Sequence, residues 1–115
     1  MKFINSTQVF KDSRGSIEEL KARGLTITTI QCLKGSVRGG HYHKAHKELM
    51  ILVSGLVRLT IGSPIRKTTH RPMMSGCAVI IDPFEVHTIT ALRDSVLLKI
   101  ELPGDGDREK DTFKV

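Results

Sequence analysis

Aromatic residues are scarce in this chain of 115 residues, which has no tryptophan, one tyrosine and four phenylalanines. Such a composition offers no stacking platform for single-stranded nucleic acid. The basic residues are spread along the chain, so we expect no nucleic-acid partner despite a net charge of +6. The positive charge instead suits a small anionic molecule, because fixed cations raise its local concentration.

The two cysteines, Cys32 and Cys77, are too few and too far apart for a disulfide framework. Both occur in apolar stretches, which predicts small buried side chains. The chain also lacks any run of about 18 apolar residues that would predict a transmembrane helix. Residues 1–5 lack the apolar core of a signal peptide. We therefore expect no membrane association and a cytoplasmic location.

Long helical patterns are missing, and apolar strands of roughly five to eight residues alternate with turns. This spacing predicts an all-β sandwich or barrel in one domain, 1–115, with a solvated tail at 103–115 that Phe113 fixes at its end. Residues 1–24 hold an N-terminal strand, at 2–4 or 7–10, and a turn; 16–20 are a strand or one helical turn. The further predicted strands are 25–33, 36–44, 48–53, 56–61, 65–74, 77–81, 88–92 and 95–102. Pro72 predicts that strand 65–74 lies at a sheet edge, whereas the apolar run 77–81 predicts a buried strand.

One stretch carries a concentrated set of metal-ligand residues. From Gly35 to Gly55 it reads G-x5-H-x-H-x4-E-x6-G, with His41, His43 and Glu48 at the fixed polar positions. Two histidines two apart on a strand point to the same face. Glu48 follows a short basic turn, on a strand that can fold back beside the first. Two imidazoles and a carboxylate can therefore converge on a divalent ion such as zinc, iron(II), manganese, nickel or copper.

A second stretch, from Gly76 to His87, supplies a possible fourth ligand. Together the two stretches resemble the two sequence motifs of the cupin superfamily. The first motif matches at every fixed position, while the second keeps its glycine and histidine but has Asp82 for proline, Phe84 for glycine and Ala91 for asparagine. The resemblance covers roughly residues 25–102 and implies an antiparallel cupin β-barrel of about six to eight strands (a jelly roll, or double-stranded β-helix). It implies a metal ion bound inside the barrel by His41, His43, Glu48 and His87.

The stretch from Arg38 to Lys44 is similar to a narrower group, the cupins of sugar-nucleotide and surface-polysaccharide biosynthesis. These include dTDP-sugar 3,4-ketoisomerases and cupin domains fused to capsular-polysaccharide reductases. This resemblance implies an isomerase or epimerase acting on a sugar or sugar nucleotide, and the retained Glu48 and His87 of the cupin motifs favour a metal-dependent one. In that reading His41, His43 and Glu48 are catalytic, and Arg38 and Lys44 bind the anionic substrate. By resemblance we also expect a homodimer.

Three alternatives stay open at this point. An iron(II)-dependent dioxygenase-type cupin would use the same ligands with open positions for oxygen. A non-catalytic cupin would bind a small molecule without turnover. The histidines could also form a metal-free hydrogen-bonded network, as they act without a metal in the ketoisomerases.

Several other residues have simpler interpretations. Tyr42, between the two histidines, should face the opposite side and pack. His46 and His70 are expected to be solvated, in a turn and on a strand face. Met73 and Met74 are expected to fill the core. The glycine pair 39–40 predicts a β-bulge or a close approach of two backbones.

Overall fold

The computed structural model describes residues 1–44, 47–63, 66–102 and 113–114. Over these ranges the regular structure is β-strand, as the strand and turn pattern predicts. The strands are β1 (Thr7–Asp12), β2 (Gly15–Ala22), β3 (Leu25–Cys32), β4 (Val37–Tyr42), β5 (Glu48–Ser54), β6 (Leu56–Ser63), β7 (Arg66–Met74), β8 (Ala78–Ile81), β9 (Val86–Ala91), β10 (Ser95–Glu101) and β11 (Phe113–Lys114). In the described ranges, no helix is long and apolar enough to cross a membrane.

The strands form two antiparallel sheets. One has the order β1-β2-β3-β10-β5-β8, and the other has the order β11-β4-β9-β6-β7. Side chains alternate between faces along each strand, so every second residue of β9 (His87, Ile89 and Ala91) is buried. The apolar core includes Leu52, Val57, Ile81 and Leu97, none of which is exposed to solvent. The all-β class is confirmed, although β1, β2 and β11 extend the sheets beyond about six to eight strands.

Edge position explains where apolar side chains were wrongly expected to be buried. β8 pairs with β5 at the end of its sheet, and this run is buried on one face only, because Ile81 is not exposed whereas Ile80 is 54% exposed. Cys77, just before β8, is exposed, whereas Cys32 is buried as predicted. Met74 ends the edge strand β7 and is 69% exposed, while Met73 packs in the core. An apolar run alone does not distinguish a central strand from an edge strand.

The two ends of the chain join the sheets. The N-terminal strand lies at 7–12 rather than 2–4, and residues 15–22 are a strand rather than a helical turn. Phe113 pairs with Tyr42 in the short ladder between β11 and β4. The rest of the predicted tail, residues 103–112 and 115, lies outside the described residues, and so does His46. His70 is exposed and hydrogen-bonded to Thr60, as expected for a solvated strand face.

Candidate metal centre

Three histidines converge where β4 lies beside β9. His41 and His87 are direct partners in the ladder between these strands, and their ring centroids are 4.5 Å apart. The His43 ring, one residue after β4, lies 5.7 Å from His41 and 5.5 Å from His87. One ring nitrogen from each histidine lies within 4.8 Å of the other two. The predicted convergence of the two motifs is therefore present.

A β-bulge with two glycines brings the strands together at this point. The register between β4 and β9 shifts between Gly39 and His41, and Gly39 and Gly40 have φ angles of +115° and +75°. A Cβ on Gly39 would lie 2.4 Å from the backbone oxygen of His87. The glycine thus permits a backbone contact beside the histidines that no other residue allows. Both predictions for this pair, a bulge and a close approach, are confirmed.

Glu48 begins β5 and is completely buried, with 0% exposure. Its Oε2 lies 3.0 Å from His43 Nε2 and 3.3 Å from His87 Nε2. Its Oε1 lies 3.2 Å from the ammonium of Lys99, although it accepts no well-aligned hydrogen bond. Glu48 therefore joins the cluster through His43 and His87, while the compact group of three ligand atoms is formed by the histidines.

The distances between Glu48 and two of the histidines suit a divalent ion. Two ligand atoms at right angles around an ion, with bonds of about 2.1 Å, lie about 3.0 Å apart. The distances from Glu48 Oε2 to the two histidine nitrogens, 3.0 and 3.3 Å, agree with this value. His87 Nδ1 lies 3.3 Å from the carbonyl oxygen of Glu85, so we assign the proton to Nδ1, which leaves Nε2 free to bind an ion. The donor set can hold a divalent metal.

The charge states are also those that a metal site needs. Burial, with a further contribution from His87, lowers the pKa of His41 to about 4. Burial also lowers the pKa of His87. Burial alone would raise the pKa of Glu48, but the hydrogen bond with His43 and the charge of Lys99 outweigh it and lower the pKa to about 2. At neutral pH these imidazoles are uncharged and Glu48 is a carboxylate.

A cavity of about 320 Å³ opens beside the cluster. Arg38, one of the predicted substrate-binding residues, lines it and is only 7% exposed. Its Nη2 donates to the carbonyl oxygen of Gln31 at 3.4 Å, whereas its buried Nε has no partner. Lys44, the other predicted substrate-binding residue, is exposed and lies over the ring of Phe113 at 4.2 Å. Of the predicted site residues, those that line the cavity are Arg38, His41, Glu48 and His87.

Lys99 lines the same cavity, and sequence reasoning missed it. Ser95 and Leu97 are buried on β10, so Lys99 occupies the next inward-facing position with period 2. A lysine two residues after Leu97, on the inward face of a largely apolar strand, was the available signal. Its significance depends on Glu48, which β5 brings beside β10.

Phe84 shows how the chain tolerates its departure from the second motif. It has a φ angle of +67°, a conformation that glycine adopts easily. Its backbone N–H donates to the carbonyl oxygen of His43, which ties the turn before His87 to the end of β4. Its ring stacks on Tyr42 at 6.2 Å, and Tyr42 also stacks on Phe113 at 5.6 Å. Tyr42 thus packs away from the histidines, as predicted.

Several known structures resemble this fold. The chain superposes on CapF bound to the inhibitor 3-isopropenyl-tropolone with a TM-score of 0.83 and 19% identity, covering 96% of this chain and 34% of that chain. It has the cupin fold. The capsular polysaccharide assembling protein CapF from Staphylococcus aureus gives a TM-score of 0.79 at 19% identity, with 96% and 32% coverage. Oxalate decarboxylase from Bacillus subtilis gives 0.80 at 19% identity, with 96% and 30% coverage.

These comparisons concern only part of the matched proteins, because this cupin-fold chain spans about a third of their length. The oxalate decarboxylase has Mn(II) centres. No family model matches the chain, and no curated protein gives a significant match. At 19% identity the likeness establishes the fold.

Proposed function

We propose that this cupin-fold chain is a metal-dependent isomerase or epimerase that acts on a sugar or sugar nucleotide in polysaccharide biosynthesis. The observation that carries the proposal is the set of three imidazoles and one buried carboxylate beside a cavity with cationic side chains. The likeness to CapF, a capsular polysaccharide assembling protein, supports the substrate class.

His41, His43, His87 and Glu48 would hold the ion. When bound, a divalent ion polarises a carbonyl oxygen and stabilises the enediolate that forms when a neighbouring C–H loses its proton. His41 and Glu48 line the cavity, and whichever of the two does not hold the ion is our candidate to move that proton. His43 Nε2 lies 3.0 Å from Glu48 Oε2 and fixes the position of this carboxylate.

The arginine Arg38 would bind the negatively charged end of the substrate. Its guanidinium is a planar donor suited to phosphate or carboxylate oxygens, and its buried Nε lacks a partner. Lys44 lies over Phe113, so in this proposal it would contact only a part of the substrate that extends outside the cavity.

The experiment combines metal analysis with proton exchange. The purified protein is analysed for zinc, iron, manganese and nickel, and is then incubated with dTDP- and UDP-keto-sugars in D₂O. We expect about one divalent ion per chain and deuterium at the carbon next to the carbonyl. Glu48→Gln should abolish exchange, and the control Glu19→Gln, on β2, should retain it. Exchange with none of the keto-sugars would contradict the proposal.

A second candidate is acid–base chemistry without a metal. The contact between Lys99 and Glu48 Oε1 favours it, because the ammonium supplies a positive charge beside the buried carboxylate. In this mechanism Glu48 and His43, 3.0 Å apart, would share the transferred proton. Dialysis against a chelator separates the two candidates. Exchange that survives the loss of metal favours the metal-free mechanism, and exchange restored by an added divalent ion favours the first.

A second copy of the chain is the proposed partner. All six residues of β1 are exposed, at the edge of the larger sheet, and they include Val9 and Phe10. An exposed edge strand with apolar side chains is a surface on which another chain can pair. Sedimentation equilibrium should give a dimer, and replacing Val9 and Phe10 with serine should give a monomer. A wild-type monomer would contradict the proposal.

A further inference from the structure

Lys99 lines the cavity beside the candidate metal ligands. It lies on β10, opposite Met50 of β5 and Thr28 of β3, and its side chain is 21% exposed. Its ammonium lies 3.2 Å from Glu48 Oε1, while the other carboxylate oxygen faces His43 and His87. A single carboxylate thus separates the ammonium from the imidazoles.

The charges around the cavity are unbalanced. Arg14, Arg38 and Lys99 line it, and Glu48 is the carboxylate among the lining residues in the part of the chain that the structure describes. Arg14 pairs with Asp12 at 2.7 Å. If Glu48 serves as a ligand to a divalent ion, its charge is taken up by that ion. The ammonium of Lys99 is then a largely buried cation that favours a negatively charged group from elsewhere.

We propose that Lys99 is a specificity-determining residue, whose ammonium binds an anionic oxygen of the ligand beside the residues that would hold the ion. When bound, that ion would supply a Lewis acid for a neighbouring oxygen. This rests on the proposed function and narrows its ligand class. The site takes compounds with two adjacent oxygens, one of them negatively charged. An α-hydroxy carboxylate has this pattern, and so does the enediolate of an α-hydroxy carbonyl compound. The enediolate binds more tightly than the uncharged carbonyl compound, which is the preference an isomerase requires.

The probe for this proposal is glycolate, a two-carbon α-hydroxy carboxylate, with neutral ethylene glycol for comparison. Each is titrated calorimetrically into the full chain loaded with zinc, after equal metal content has been confirmed. We expect the wild type to bind glycolate at least tenfold more tightly than ethylene glycol. Lys99→Met should weaken glycolate binding at least tenfold, with little effect on ethylene glycol.

Two further variants make the result specific. Lys99→Gln keeps a hydrogen-bond donor towards Glu48 without the charge, and it should lose glycolate affinity as Lys99→Met does. If Lys99→Met fails to fold, the glycolate affinity of Lys99→Gln alone tests the proposal. Lys47→Met removes the same charge one residue from Glu48, but this exposed lysine pairs with Asp82 at 3.5 Å outside the cavity. This control should bind glycolate as the wild type does.

The proposal is overturned if the wild type does not bind glycolate, or if Lys99→Gln binds it within twofold of the wild type. A failure of the proposed function gives a different result from a failure of the role of Lys99. If glycolate binding depends on Lys99 but no keto-sugar exchanges a proton, the ligand preference stands and the isomerase assignment does not. If exchange occurs and Lys99→Gln leaves glycolate binding unchanged, only the role of Lys99 is lost.

Discussion

His41 and His87 lie directly opposite each other across β4 and β9, with their rings at 85° and their centroids 4.5 Å apart. This one cross-strand pair joins the two sequence motifs. Side chains alternate with period 2, so a slip of one residue in either strand would turn one ring away from the other. The glycine bulge beside His41 therefore sets both the register and the geometry of the cluster.

The two glycines of the bulge should respond differently to alanine. Gly39→Ala places a methyl group 2.4 Å from the backbone oxygen of His87, so the strands must separate, and we expect a loss of at least about 3 kcal/mol in the free energy of unfolding. Gly40→Ala meets nothing within 4 Å and should cost only the strain of a positive φ, about 1–2 kcal/mol. Urea denaturation measures both. Equal losses would mean that contact with His87 does not matter.

Local patterns predicted part of this geometry, and the place of His87 in the cluster was implied by the resemblance to the cupin motifs. Strand alternation placed His41 and His43 on one face, and the glycines predicted the bulge. What they could not give was the order of strands within the sheets, which depends on pairings between distant segments. That order leaves Ile80 at an edge and brings Lys99 beside Glu48. The role of an inward-facing lysine can be inferred only when the strand beside it is known.

Acid should destabilise the metal-free protein in a defined pH range. The pKa of His41 is lowered from 6.5 to about 4 by burial. Between these values the unfolded chain binds a proton that the folded chain does not, so the free energy of unfolding falls as the pH is lowered from 6.5 to 4. Glu48, with a pKa lowered from 4.5 to about 2, adds a further loss below pH 4.5.

Denaturation with urea at several pH values tests this expectation. His41→Gln should have a shallower dependence of stability on pH between 6.5 and 4 than the wild type. His70→Gln is the control, because His70 is exposed on β7, and it should keep the wild-type slope. If His41→Gln also keeps that slope, the buried ring is not the source of the acid sensitivity.

The variant Phe84→Gly should be more stable than Phe84→Ala, which is the reverse of the usual order of these residues in a strand. Either substitution loses the stacking on Tyr42, worth about 0.5–1.5 kcal/mol. Only glycine also relieves the strain of the +67° φ angle. The free energy of unfolding of Phe84→Gly should therefore exceed that of Phe84→Ala by about 1 kcal/mol. Ile80, exposed on β8, provides the control. There Ile80→Gly should be less stable than Ile80→Ala by about 0.5–1 kcal/mol, and the same order at both sites would exclude strain at Phe84.

Glu48 and Lys99 should be energetically coupled in the metal-free protein. Glu48→Gln leaves the ammonium of Lys99 without the carboxylate 3.2 Å away, and Lys99→Met leaves a buried carboxylate without that ammonium. Each single change should therefore destabilise the fold, since a buried charge has lost its partner. The double variant removes both charges. Its loss in the free energy of unfolding should therefore be smaller than the sum of the two single losses by about 1–2 kcal/mol. Lys47→Met combined with Glu48→Gln should be additive, because Lys47 pairs with Asp82 instead. Additivity in both cycles would mean that the contact between Lys99 and Glu48 carries no net interaction energy.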